Sequence, residues 1–156
     1  QKGTLNVVGN VKHGIKTGEY FAIKNATINV TSAVGDGINC AEYFLMESGT
    51  INISSTQDDG IQCDIDGDAS TGETTDHEDE DSGNVYLQGG TLTITTTAAA
   101  SKGIKADGDM KISDGTYTVT TKGSAAWDSD DSEVKACAAM SADGNMTISG
   151  GTLTLR

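Results

Sequence analysis

Apolar and polar residues alternate in short runs along the whole chain, and the runs recur. Thr4-Leu5-Asn6-Val7, Thr27-Ile28-Asn29-Val30 and Thr50-Ile51-Asn52-Ile53 follow one another at spacings of 23 residues. The same unit returns at Thr91, Thr116 and Thr152, with longer intervals where the chain carries insertions. A second marker trails each early unit: Gly14-Ile15, Gly37-Ile38, Gly60-Ile61 and Gly103-Ile104. A third precedes the next unit, as in Phe21-Ala22-Ile23, Phe44-Leu45-Met46, Val85-Tyr86-Leu87, Met110-Lys111-Ile112 and Met146-Thr147-Ile148. Strict alternation over four to six residues predicts strands, because successive side chains leave opposite faces. A helix needs a 3.6-residue period sustained over about ten residues, and no stretch offers it.

Three short strands in about 23 residues make one rung of a three-sided coil, with rungs stacked at strand spacing. The pattern therefore predicts an all-β parallel solenoid as a single domain over 1–156. Insertions fall at 64–83 and 123–135. Stacking lets inward columns be read directly. One is Leu5, Ile28, Ile51, Leu92, Tyr117 and Leu153; a second is Val7, Val30, Ile53, Ile94, Val119 and Leu155. Two more are Ile15, Ile38, Ile61, Ile104 and Ile23, Met46, Leu87, Ile112, Ile148. Gly49, Gly90, Gly115 and Gly151 precede the Thr units, where a sharp corner calls for positive φ. The first strand starts at once and Arg156 closes an unfinished rung. This predicts either a piece of a longer chain or ends that stack on neighbours, a possible end-to-end self-association.

Composition first argues against this picture and then fits it. Only 35% of residues are apolar, with 20 glycines, no proline and 4% aromatics. A thin cylindrical core needs few apolar residues, and inner rungs need every amide donor, which proline lacks. The 23 acidic and 10 basic residues give a net charge of −13, which repels nucleic-acid phosphates and excludes that partner class. No apolar run approaches the length of a membrane span.

The charge is uneven. Between Asp64 and Asp81 stand nine of the 23 acids, with no Lys or Arg. A like-charge run is commonly a solvated loop. This one follows Asp58-Asp59-Gly60-Ile61, one rung beyond Asp36-Gly37-Ile38, so Asp36 and Asp59 share a column about 5 Å apart. Carboxylates that close call for a cation or a shared proton, and Ca²⁺ favours clustered oxygens. The expected ligands are Asp36, Asp59, Asp64 and Asp66, with Asp79 or Asp81 folding back. Asp64, Asp66 and Asp68 match the start of an EF-hand loop, but the glycine at its sixth position and glutamate at its twelfth are missing. Asp107-Gly108-Asp109 and Asp143-Gly144-Asn145 read as turns. The second insertion, with four acids beside Trp127, gives a weaker cation signal.

Parity turns Tyr20, Tyr43, Leu45 and Tyr86 outward on one wall as an exposed apolar strip. Sugar C–H faces stack on such rings, and Tyr20, Tyr43 and Tyr86 are the candidate carbohydrate-binding residues. A flanking segment or the acidic loop covering the strip is the equal alternative. The outward Thr and Asn ladder of the Thr units reads chiefly as β-propensity and self-stacking. Cys40 and Cys63, in adjacent rungs, and Cys137 read as free thiols. No Ser/His/Asp constellation is present. Lys16, Lys102 and Lys105 are the only basic candidates for a polysaccharide lyase, and no aligned carboxylates surround Lys105 in the sequence pattern.

The succession Gly3-Thr-Leu-Asn-Val, His13-Gly-Ile, Asp36-Gly-Ile, Gly49-Thr-Ile-Asn-Ile, Asp58-Asp-Gly-Ile, the acidic insertion and Gly83-Asn-Val-Tyr-Leu-Gln-Gly-Gly-Thr-Leu-Thr-Ile resembles the secreted bacterial carbohydrate-binding β-helix family. Lys102-Gly-Ile-Lys-Ala-Asp-Gly-Asp-Met continues the likeness. The resemblance implies a right-handed parallel β-helix related to pectate lyases. It also implies calcium as cofactor, with Asp36, Asp59, Asp64, Asp66, Asp79 and Asp81 as ligands. The expected function is non-catalytic binding of plant-wall polysaccharide, cellulose or pectin-like, outside the cell or on a bacterial surface. The structural alternative is a filament or adhesin subunit, and the enzymatic one a pectate-lyase-like activity.

Overall fold

The structure, a computed structural model, describes residues 2–65, 67 and 81–156. Every described element is a strand, and three parallel sheets take up all but two of them. The first sheet stacks β1 (Thr4–Gly9), β4 (Thr27–Ala33), β7 (Thr50–Thr56), β10 (Thr91–Thr96), β13 (Thr116–Thr121) and β18 (Thr152–Leu155) in that order. The second stacks β2 (Ile15–Lys16), β5 (Ile38–Cys40), β8 (Ile61–Cys63), β11 (Lys102–Ala106) and β16 (Ala138–Ala142). The third stacks β3 (Phe21–Ile23), β6 (Tyr43–Met46), β9 (Asn84–Leu87), β12 (Met110–Ile112) and β17 (Met146–Ile148). The chain visits the three sheets in turn and returns to the first beside its previous strand, which is the topology of a three-sided stack of rungs.

The register is the one the repeats predict. Leu5 pairs with Ile28, Ile28 with Ile51, Ile51 with Leu92, Leu92 with Tyr117 and Tyr117 with Leu153. The Ile15, Ile38, Ile61 and Ile104 column continues to Met140. Like on like fills the interior, and from Ile38 to Ile104 these isoleucines are fully buried. Each core side chain of this size contributes about 1.5–3 kcal/mol by leaving water.

Corner glycines have two separate causes. Gly49, Gly90, Gly115 and Gly151 carry φ of +99°, +86°, +104° and +87°, as the sharp corners require. Gly37 and Gly60 have ordinary φ but no room. A Cβ on Gly37 would meet the Gly60 carbonyl oxygen at 2.6 Å and Ile53 Cγ2 at 2.5 Å. The Gly of each Gly-Ile marker lets the next rung close over the core.

The second insertion adds something the period does not show. β14 (Ala126–Asp128) and β15 (Glu133–Lys135) form an antiparallel hairpin, with Trp127 opposite Val134. Cys40 and Cys63 are buried free thiols and Cys137 is a partly buried one. No described helix is long and apolar enough to cross a membrane.

Candidate functional site

At the corner between the first and second sheets, the side chain before each of the first three Gly-Ile markers accepts a backbone amide from the next rung. His13 Nδ1 accepts from the Asp36 N–H at 3.3 Å. Asp36 Oδ1 accepts from the Asp59 N–H at 3.1 Å, and Asp59 Oδ1 from the Lys102 N–H at 2.5 Å. The sequence singled out this column for its carboxylates; the structure adds that they cap amides at the turn. A parallel ladder runs between the second and third sheets. There Asn84 Oδ1 accepts from the Asp109 N–H at 2.6 Å, and Asp109 Oδ1 from the Asn145 N–H at 2.8 Å. The Asp107 and Asp143 turns thus flank a hydrogen-bonded column.

Asp36 and Asp59 are buried. Burial pushes both carboxyls up to about 6, and the neighbouring Asp58 pushes the same way. The amides and Asn39 pull against this without cancelling it. His13, held below its ordinary value by burial, Lys12 and Lys16, remains a neutral acceptor. Ligand oxygens of Asp36, Asp58 and Asp59 lie within 4.8 Å of one another, the one such cluster among the described residues. Asp58, on the exposed side, was not among the predicted ligands; its place directly before Asp59 was the available signal.

The other predicted ligands fall elsewhere. Asp64 is held through Asn39, whose Nδ2 donates to Asp36 Oδ2 at 3.0 Å and to Asp64 Oδ2 at 3.1 Å. Gln62 Nε2 donates to its other oxygen at 2.5 Å. Asp64 is therefore a neighbour of Asp36 rather than a member of the three-aspartate group. Asp81 Oδ2 accepts from the Gly67 N–H at 2.9 Å. Asp66 and Asp79 lie outside the described residues. In the second insertion Lys135 Nζ reaches Asp128 at 2.8 Å and Asp131 at 2.5 Å. An internal ammonium occupies the place where the acids suggested a cation.

The tyrosines do leave the third sheet on its outer side, but the exposed strip is corrected to a single ring. Tyr20 is 40% exposed, whereas Tyr43 is 3% and Tyr86 9% exposed. Tyr20 stacks on Tyr43 with ring centres 4.9 Å apart and planes 3° from parallel. Tyr86 meets Tyr43 edge-on at 6.4 Å, and Lys111 Nζ lies 5.4 Å from the Tyr86 ring centre. Residues 82 and 83 return beside this cluster, both amides donating to the Glu42 carbonyl. On the first sheet the outward asparagines bond to one another: Asn29 Nδ2 to Asn6 Oδ1 at 2.8 Å, and Asn52 Nδ2 to Asn29 Oδ1 at 2.9 Å. This is the self-stacking that the ladder predicted.

The lyase candidates are engaged. Lys105 Nζ sits 2.9 Å from Asp107, Lys102 Nζ donates to the Ala100 and Ala136 carbonyls, and Lys16 Nζ donates to Asn39. What remains is a rigid scaffold carrying an oriented aromatic ring and a compact group of oxygens. Comparison with curated proteins and with solved structures gave no match in either case. The model of one family, described as carbohydrate-binding domain-containing protein, matches residues 1–156. The chain belongs to this carbohydrate-binding domain family.

Proposed function

We propose that this protein is a non-catalytic, calcium-binding module that holds plant-wall polysaccharide, cellulose or pectin-like, outside the cell or at a bacterial cell surface. The observation that carries the reading is Tyr20. Its ring is fixed by parallel stacking on buried Tyr43, so it meets a sugar face without first losing rotamer freedom. Family membership over the whole chain supplies the ligand class. The engaged lysines favour holding the polymer over cleaving it. The coil is right-handed, as parallel crossovers nearly always are.

For the cation, Asp36, Asp58 and Asp59 offer the hard oxygen donors that Ca²⁺ prefers. Bound there, Ca²⁺ supplies charge neutralisation for carboxylates that burial otherwise holds partly protonated. Asp64, joined to Asp36 through Asn39, is the next carboxylate along from that group.

Retention on insoluble cellulose and on polygalacturonate, with and without chelator, tests the reading. The protein is expected to be retained on at least one of the two polymers. The Tyr20→Ala variant should lose retention several-fold while melting within a few degrees of the parent. A protein retained on neither polymer would end the carbohydrate reading. Unsaturated product absorbing in the ultraviolet would replace it with a lyase.

A further inference from the structure

Charge is absent from one side of this coil. None of the six strands of the first sheet, β1, β4, β7, β10, β13 and β18, contains Asp, Glu, Lys, Arg or His. The strands of the second and third sheets, by contrast, carry Lys16, Lys102, Lys105 and Lys111. Charged residues make up 21% of the chain, so a six-stranded sheet without one is a segregation. β-propensity accounts for the threonines of this face but not for the missing charge. Strands disfavour asparagine more than lysine or glutamate, yet outward places here go to Asn6, Asn29 and Asn52 and never to a charged residue.

The outward side chains stand in straight columns. Thr4, Thr27, Thr50, Thr91, Thr116 and Thr152 are register partners across all six rungs. Beside them, in the same register, run Asn6, Asn29, Asn52, Thr93, Thr118 and Thr154. Five strand spacings of about 4.8 Å give the face a length of about 24 Å along the stack. These side chains are short and of similar reach, and in-register ladders favour a flat sheet. Threonine is stiff at χ1, and the asparagine amides are fixed by bonding to one another. Each such amide carries a second N–H beyond its ladder bond, and each threonine hydroxyl both donates and accepts.

We propose that the outer face of the first sheet is a docking surface for the flat face of a crystalline neutral polysaccharide. The proposal rests on the carbohydrate-binding reading above and adds a place and a physical form of the ligand. A single dissolved chain is held in a groove that surrounds it. A solid presents hydroxyls in two dimensions and leaves nothing to wrap, so it calls for a broad, even face. A fixed charge pressed against that solid would lose its water and meet no counter-charge, which costs far more than covering a hydroxyl. Hydroxyls and amides instead exchange bonds to water for bonds to sugar nearly evenly. Their stiff side chains also lose little freedom on contact. The match is neutral on neutral, with the charge of −13 kept to the other faces and the corners.

Retention of the whole protein on microcrystalline cellulose, measured as bound against free, tests the face. Thr93→Lys and Asn52→Asp each set one charge at an exposed position on it and should weaken retention by about tenfold. Thr93→Ser keeps the hydroxyl, and Gln88→Lys places a charge at an exposed corner outside the face; both should hold like the parent. Melting within a few degrees of the parent shows that each variant keeps the fold. Retention should persist in high salt, which screens charge and not this contact, and under excess soluble cellohexaose. If Tyr20→Ala weakens retention on cellulose but Thr93→Lys and Asn52→Asp do not, the face proposal falls while the carbohydrate reading stands. Full release by cellohexaose overturns the crystalline form of the ligand, and retention on polygalacturonate alone overturns its neutral class. If neither polymer retains the protein, both readings fall. Thermal hysteresis that Thr93→Lys abolishes, with retention on cellulose unmoved, would assign the face to ice and overturn the proposal.

Discussion

Two corners of this coil do the same hydrogen-bonding job with opposite electrostatics. At the first, Asp36 and Asp59 cap the amides of Asp59 and Lys102 while buried, and their carboxyls rise to about 6. At the second, Asn84 and Asp109 cap the amides of Asp109 and Asn145 in a more open setting. There the Asn145 amide holds the Asp109 carboxyl below its ordinary value. Asparagine and aspartate serve equally at the second corner, so capping an amide needs an oxygen and not a charge. Keeping two carboxylates at the buried corner, with Asp58 beside them, is then costly for capping alone. The difference calls for a second use for the charge, and holding a cation is the use proposed above.

The strongest way to break the comparison is to remove the ion. With free Ca²⁺ at about 100 times its dissociation constant, binding to the native state adds about 2.7 kcal/mol. Chelator should therefore lower the melting temperature by roughly 5–10 °C, at 2–4 °C per kcal/mol for a chain of this size. An unchanged melting curve would leave the buried aspartates without that role.

A smaller effect follows in chelator from pH. The folded carboxyls titrate near 6 and the unfolded ones near 3.8, so the folded state binds more protons between those values. Stability then falls as pH rises through that window, by something of order 1–3 kcal/mol. In chelator the protein should melt higher at pH 5 than at pH 7. Saturating Ca²⁺ should flatten or reverse the trend, because the ion binds the deprotonated form. Asp109 and Asp128, both lowered, act with the opposite sign and only on the acid side of their ordinary value. Melting that is higher at pH 7 in chelator would contradict the assigned burial.

The rungs were legible because parallel stacking in register sets each residue on its counterpart. The columns from Leu5 to Leu153 and from Ile15 to Ile104 needed only the recurring units. What parity does not carry is cover: it turned Tyr43 and Tyr86 outward, yet Tyr20 lies flat on the first, and Asn84 and Lys111 meet the second. Asp36 and Asp59 were legible as a close pair. Their amide bonds were not, since those join residues 23 and 43 apart through a turn with no period of its own. The hairpin was hidden for a related reason. Two strands of three residues are too short for alternation to stand out against Gly, Ala and Ser, and their acids suggested a cation before Lys135 was placed. Trp127 is 65% exposed and faces Val134 across that hairpin.

The smallest effect separates charge from capping most directly. Asp59→Asn keeps an oxygen for the Lys102 amide and removes the buried charge. In chelator at neutral pH the variant should melt at least as high as the parent, and about half of the slope between pH 4 and 6 should vanish. Its response to added Ca²⁺ should fall as well, since one of three clustered carboxylates is gone. Asp109→Asn likewise keeps an oxygen for the Asn145 amide and loses only a partly exposed contact with Lys111 at 3.6 Å. Such a contact contributes little, so this variant should melt close to the parent at every calcium level. Calorimetry of both variants across pH, with and without the ion, checks the pair. If Asp59→Asn melted well below the parent in chelator, the charge itself would be needed for the ladder, and the two corners would differ in capping chemistry and not merely in burial.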